Sequence, residues 1–545
     1  MAVRNLRLLS LVTVLVSLVG ITASAQSFKV QCPTTTITHP LANNDTEPAY
    51  LGPTYANKDV YGSAMANNNG AIKCQQISGG DGYATMADGT QTYMFSFGPL
   101  SGIADIAGGR PGTEPPSVFN APYPAGPPYL QPGDPATTDA GTIGTFAYNG
   151  AIGQAPDLDC LADNNTALAQ VPPAPLPCPN VPMSGPFMGI DGHVDPRPIM
   201  DIGVMNGNIP APLMAIDEDD EFFLTLSNVG MIMRPDLFEQ HTVHFHGYPN
   251  ASSFYDGVPD ASVAINIGAS FTYYYLAPEA GTYFWHCHIT PPEHLQMGMV
   301  GQIYVRPRQN RLPDQTSLYA GLQTQQLDLR TKCDSSADIL CSNPLPITNS
   351  GATHSSGNKY AYNDGDGSTR YDVEYPLQIH GFDPNFHFVG MTFNPEGFAD
   401  MKDKYFLLNG RSYPDTVHSG AMTTASVDGA NHYSQPLDSI VNIPAGGRAL
   451  LRISDLDVSE YQTLASMGIP MTVIGWNARL LRDQAGNNMS YNTNSITLGG
   501  GESCDVILDT TGIPKGTYYL YTSNLDHLSN DAENFGGLMT EVHVN

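Results

Sequence analysis

The chain has 545 residues, 23 Lys and Arg against 52 Asp and Glu, and a formal net charge of −29 at pH 7. That balance argues against nucleic acid as a partner, because phosphate binding needs clustered Lys and Arg. It suits cationic partners such as metal ions or basic redox proteins through long-range steering, and it serves solubility equally well. The length implies several domains, and 41% hydrophobic residues is enough to build their cores.

Residues 1–25 read as a secretory signal peptide: Arg4 and Arg7 precede a short apolar run, and Ala23-Ser24-Ala25 forms a small-residue cleavage site. No later run is apolar enough to span a bilayer. The expectation is an exported protein, periplasmic or extracellular. Residues 26–190 are rich in Gly, Pro, Asn and Thr and read as a long irregular N-terminal extension wrapped on the next domain. One hairpin stands out within it, YATMADGTQTYMFSF, with Asp88-Gly89 at the turn. Eight cysteines in an exported chain point to disulfides. Cys32 with Cys74, Cys160 with Cys178 and Cys333 with Cys341 form convenient local pairs, Cys287 is reserved for a metal, and Cys504 is left over in a buried strand.

From 191 to 308 the pattern changes to short β-rich runs separated by Gly, Pro, Asn and Asp, which predicts a β-sandwich. Two clusters of metal-ligand residues lie in it. One is His241-Thr-Val-His244-Phe-His246-Gly247, and the other is GTYFWHCHITPPEHLQMGM over 281–299, containing His286-Cys287-His288, His294 and Met299. Two imidazoles and a thiolate with a weak axial thioether make a blue-copper site. Zinc is the competing reading, but thiolate zinc sites usually bring at least two cysteines and do not seek Met. In a strand, His244 and His246 share a face, as do His286 and His288, so each pair can converge on metal.

Residues 309–365 contain the polar stretch NSGATHSSGNKYAYNDGDGST and read as a linker. Strand-like runs resume over 366–545, including KYFLLNGRSYP, AGGRALLRISDL, IPMTVIGWNARLL and GTYYLYTSN.

HxxHxHG followed by HCH, His and GM resembles the copper signature of the multicopper oxidases, although in that family it closes the last domain and here it lies mid-chain. LLNGRSYP, AGGRALLRISD and PMTVIGWNARLL resemble the family's copper-free middle domain. The resemblance implies an all-β fold of tandem cupredoxin-like Greek-key β-sandwich domains. It implies type 1 copper held by His241, Cys287 and His294 with Met299 axial and Met297 as a rival. His294 stands two residues further from Cys287 than is usual in the family. His244, His246, His286 and His288 correspond to ligands of the type 2/3 copper cluster, and so to the catalytic residues. There, electrons taken singly at the type 1 copper would reduce oxygen to water.

The family cluster needs two further His-x-His pairs, and the sequence has none; in the second domain Tyr521-Thr522-Ser523 stands where HCH would be. Three readings follow. The first is an oxidase whose cluster is completed across a homo-oligomer interface, with an unidentified one-electron donor: a phenol, a metal ion or a redox protein. The second is a relative of the two-domain copper nitrite reductases, which share the spacing of His241 and His246 but expect an Asp where His244 stands. The third is a non-enzymatic electron-transfer or copper-binding protein, which leaves His244, His246 and His288 without a use.

Overall fold

The computed structural model describes residues 31–40, 44–53, 69–119, 167, 169–174, 207–328 and 343–545, apart from breaks at 232, 235–236, 238, 248–252, 268, 278, 391–396 and 426–430. The signal peptide, most of residues 26–190, and the pairs Cys160–Cys178 and Cys333–Cys341 lie outside the described residues. Cys32 and Cys74 form a disulfide, while Cys287 and Cys504 are free and buried.

The all-β expectation holds, with two β-sandwiches in tandem. The first sandwich is built from β1 (Ile72–Thr85), β2 (Gln91–Pro99), β3 (Met214–Asp217), β4 (Glu221–Gly230), β5 (His244–Phe245), β6 (Ser270–Leu276), β7 (Gly281–His286) and β8 (Val300–Arg306). One sheet has the order β2-β1-β4-β6 and the other β3-β8-β7-β5. Alternation explains the packing of β4 on β6. Leu224 opposite Tyr273 and Leu226 opposite Phe271 face the core. On the other face Thr225 meets Thr272 at 2.8 Å and Ser227 meets Ser270 at 2.6 Å, hydroxyl to hydroxyl.

The hairpin read as part of an extension is a correction to the boundary at 191. β1 runs parallel to β4 and sits between it and β2, with Ile77 opposite Leu226. Ile77, Tyr93, Phe95 and Phe97 enter the same core as Trp285 and Cys287. The sandwich therefore begins near residue 72, because burying that apolar alternation requires a sheet partner.

The segment 309–365 is also more than a linker. Arg308, at the drawn boundary, is buried and bidentate to Asp219, and Gln309 donates to Asp364 at 2.8 Å. A helix, Leu318–Gln325, capped by Ser317, packs Leu318 with Leu312, Tyr50 and Tyr360.

The second sandwich pairs a sheet centred on Val373–Phe382, Arg448–Asp455, Ser503–Asp509 and Met471–Trp476 with a second centred on Met539–Val544, Gly516–Tyr521 and Gln462–Met467. Aliphatic residues such as Leu377, Ile453, Val506, Leu464 and Val542 fill the space between them. Polar contacts join the two sandwiches. Arg306 and Arg452 hold Glu374 at 2.8 and 3.0 Å, Thr282 donates to Asp505 at 2.6 Å, and Gln302 donates to the Arg452 carbonyl at 3.0 Å. Burial alone would raise the Glu374 carboxyl, but the two guanidinium groups outweigh it and hold it down at about 2.

Candidate metal centres

β5 and β7 set the ligand geometry. Their antiparallel register places His244 opposite His286 and Phe245 opposite Trp285, so the imidazoles share one face while Phe245 and Trp285 enter the core. After His288 the chain turns at Thr290, in a left-handed conformation with φ 38°, and Pro291-Pro292 open the short helix Pro291–Gln296. This helix absorbs the longer loop noted in the sequence and returns His294 to Cys287.

His241, Cys287 and His294 form the first cluster. All three are fully buried, and their ligand atoms lie within 4.8 Å of one another. Nδ1 of His294 is 3.3 Å from the Cys287 sulfur and Nδ1 of His241 is 4.0 Å from it, while the Thr242 N–H donates to that sulfur at 3.4 Å. Met299 is pinned between the ligands through its backbone: its N–H donates to the His294 carbonyl at 2.8 Å and its carbonyl accepts from the Cys287 N–H at 3.1 Å. Met297 is equally buried, but its sulfur faces the second sandwich, 3.5 Å from where a Cβ on Gly390 would stand.

The donor set fits copper. A soft buried sulfur and the Nδ1 atoms of two imidazoles converge. Burial, and then His294, push the His241 imidazolium well below its usual range. Burial works against the His294 cation as well, yet the Cys287 sulfur and Glu239 outweigh it and raise His294 to about 9. A metal ion would take the place of that proton.

The second cluster contains His244, His246 and His286, with ligand atoms again within 4.8 Å of one another. Nε2 of His246 and Nε2 of His286 are 2.9 Å apart, and the His288 ring lies 5.2 Å from His244 and 5.5 Å from His286. Each of the three clustered rings has its Nδ1 at a backbone carbonyl: His244 at Asp256 (2.7 Å), His246 at Gly501 (3.3 Å) and His286 at Cys287 (2.6 Å). This fixes the tautomers and leaves the Nε2 lone pairs pointing at one another, which is the usual outer-shell support of metal-binding histidines. Burial first, and neighbouring histidines after it, lower His246 to about 4 and His286 to about 3, so both are neutral at pH 7.

A cavity of about 640 Å³ opens beside this cluster, walled by His246 and His286 on one side and by Asp457, Glu460 and Glu502 of the second sandwich on the other. Gly501 makes the approach possible: its φ is +91°, and a Cβ there would lie 2.8 Å from the His246 ring. His527 is not part of the cluster. It is buried in the second sandwich, stacked on Phe406 at 3.8 Å, with Gln462 at 2.8 Å and Glu460 at 3.0 Å.

Some residues around the first cluster escaped the sequence reading. Gly79 on β1 lies against His241, with a would-be Cβ 2.5 Å from its Cδ2. Phe95 on β2 meets the His294 ring edge-on at 5.1 Å, and Ser96 donates to the Gly298 carbonyl at 2.6 Å. The Gly79-Gly80 pair inside a strand pattern was the available signal, since glycine there marks a close approach.

Residues 192–310 match a protein-family model described as multicopper oxidase. The chain is 33% identical to a laccase of Aspergillus fumigatus over 109 residues, 20% of this chain and 17% of that one. It is 36% identical to Laccase-1 of Emericella nidulans over 121 residues, 21% of this chain and 17% of that one. It is 35% identical to a copper-containing nitrite reductase of Rhizobium meliloti over 109 residues, 19% of this chain and 26% of that one. The chain thus spans about a fifth of the length of these relatives. Among solved structures, a blue copper oxidase from Nitrosomonas europaea aligns with a TM-score of 0.41 at 21% identity, covering 62% of this chain and 78% of that one.

Proposed function

We propose, on the match of residues 192–310 to the multicopper oxidase model, that the chain is a copper-dependent oxidoreductase that reduces oxygen with electrons taken one at a time from a donor. His241, Cys287 and His294, with Met299 axial, would hold a type 1 copper; His244, His246, His286 and His288 would hold type 2/3 copper. Copper at the two sites would supply one-electron acceptance from the donor and the reduction of oxygen. The observation that carries the reading is the juxtaposition of the two clusters through one tripeptide. His286 and His288 flank Cys287 in the backbone, and His286 Nδ1 donates to the Cys287 carbonyl at 2.6 Å, so sulfur and cluster imidazoles are joined both covalently and by a hydrogen bond.

The cavity supports oxygen over nitrite as acceptor. Three carboxylates on its wall disfavour an anion and leave a neutral molecule unaffected. Asp457 on that wall sits beside Asp403, whose carboxyl burial, and then Asp457, push well above the usual range. Nitrite reduction is the second reading, favoured by the similarity to the Rhizobium meliloti enzyme.

Among the described residues this chain brings no further histidine to the cluster, so a homo-oligomer is proposed, in which a second copy completes it. The signal-peptide reading makes the protein exported, and no helix of the described residues is long and apolar enough to cross a membrane. Copper per chain, the visible and EPR spectra, and oxygen and nitrite consumption test the proposal together, with sedimentation at several concentrations. The expected result is an intense visible band lost in Cys287→Ser, and oxygen uptake that depends on His244, His246, His286 and His288. A copper-loaded protein without that band refutes the type 1 assignment, and turnover of nitrite without oxygen uptake moves the reading to the second.

A further inference from the structure

The second sandwich has no copper ligand set of its own in the sequence, yet it grips the loop that carries the type 1 ligands. Leu295 and Gln296 lie between His294 and Met299, and each is held from across the domain boundary. Nε2 of His380 donates to the Leu295 carbonyl at 3.0 Å. Gln296 is held at both ends of its buried amide: Nε2 donates to Asp403 at 3.0 Å and Oε1 accepts from the Asp383 N–H at 3.1 Å. His387, on the helix Pro384–Gly390, is fully buried and stacked on Phe382 at 3.6 Å. Its Nε2 lies 2.9 Å from the Gln296 carbonyl and its Nδ1 2.6 Å from the Tyr93 carbonyl. Tyr93 is two residues from Phe95, which packs on the His294 ring. At the end of the same helix Gly390 meets the sulfur of Met297.

We propose that His387, Gln296 and the helix Pro384–Gly390 are positioning residues for the type 1 copper. In this role the second sandwich acts as a clamp that fixes the 294–299 ligand loop and thereby sets the reduction potential of the site. This rests on the copper reading of His241, Cys287 and His294. The physical ground is that a blue site's potential follows its axial ligand and the surroundings of its sulfur. A close-packed interior, moreover, transmits a displaced neighbour to the ligand it supports. His294 and Met299 are joined to each other through the backbone, so a shift at Leu295–Gln296 reaches both.

The test uses the full chain with His387→Leu, which removes both ring nitrogens, His387→Gln, which keeps an amide N–H within reach of the Nε2 position, and Gly390→Leu, which sets a side chain against Met297 without touching the hydrogen bonds. Spectroelectrochemistry of the copper-loaded proteins is expected to show at least a tenfold change in the Cu(II)/Cu(I) ratio for His387→Leu and Gly390→Leu, equal to 59 mV for one electron. His387→Gln should stay within that limit. If His387→Leu does not fold, Gly390→Leu decides alone. Folded, blue variants with the wild-type potential overturn the clamp. Hydrogen exchange on the metal-free protein separates this from a failure of the copper reading. The amides of Met297 and Met299 should exchange faster in His387→Leu whatever metal the site takes, and unchanged protection refutes the clamp independently.

Discussion

Gly79→Ala tests how tightly the first cluster is built. A Cβ at Gly79 would stand 2.5 Å from Cδ2 of His241, 3.1 Å from Cγ and 3.3 Å from Nε2, and the first distance is shorter than real carbon contacts allow. His241 is fully buried, and its Nδ1 faces the Cys287 sulfur at 4.0 Å, so relief means moving the imidazole or shifting β1. Overpacking of this kind costs about 1–3 kcal/mol. If the imidazole takes the whole displacement, the same energy appears in metal binding as roughly a 5-fold to 150-fold loss of affinity, at 1.4 kcal/mol per factor of ten. The assay is a copper competition titration beside urea unfolding of the metal-free chain. Ser78→Ala serves as control, because neighbouring strand residues point to opposite faces. The expected result is weaker copper binding and a lower unfolding midpoint for Gly79→Ala, with copper affinity unchanged in Ser78→Ala. Wild-type affinity and wild-type stability in Gly79→Ala would show that β1 does not wall the site.

Met299→Leu should keep the visible band and raise the reduction potential, since loss of a weak sulfur donor disfavours Cu(II), whereas Met297→Leu should do less because its sulfur faces Gly390; the reverse ranking, read by spectroelectrochemistry, makes Met297 the axial ligand. The metal-free protein should lose stability as pH falls from 6.5 towards 3. His286 and His246 are depressed to about 3 and about 4, so the unfolded chain binds more protons over that window, at up to about 1.4 kcal/mol per pH unit for buried His286 and less for the part-exposed His246. His294, raised to about 9, acts oppositely: its contribution is complete below 6.5 and is lost as pH rises through 9, so unfolding midpoints against pH should peak between the two limbs. Glu374→Ala should cost about 3–5 kcal/mol by leaving Arg306 and Arg452 without their shared carboxylate, measured by denaturant unfolding.

Local pattern was enough for the parts of this protein whose chemistry lies within a few residues. HxxHxHG and HCH are legible as candidate ligand sets because strand periodicity puts alternate residues on one face, and the β5–β7 register keeps both pairs on that face. The hairpin around Asp88-Gly89 is legible for the same reason, as is the β-rich character of 366–545. Alternation says which face of a strand is apolar, however, and not which distant strand will cover it. The pairing of β1 with β4, which makes a supposed extension the wall behind His241, joins residues about 150 positions apart and leaves no local trace beyond two glycines. His380 and His387 stand singly in the sequence, and Gln296 is one glutamine among many. They become a set when the two sandwiches dock, because buried carbonyls and amides of the ligand loop must find partners and the second sandwich supplies them. The two candidate clusters are therefore written in the sequence, and the packing around them is decided by tertiary structure.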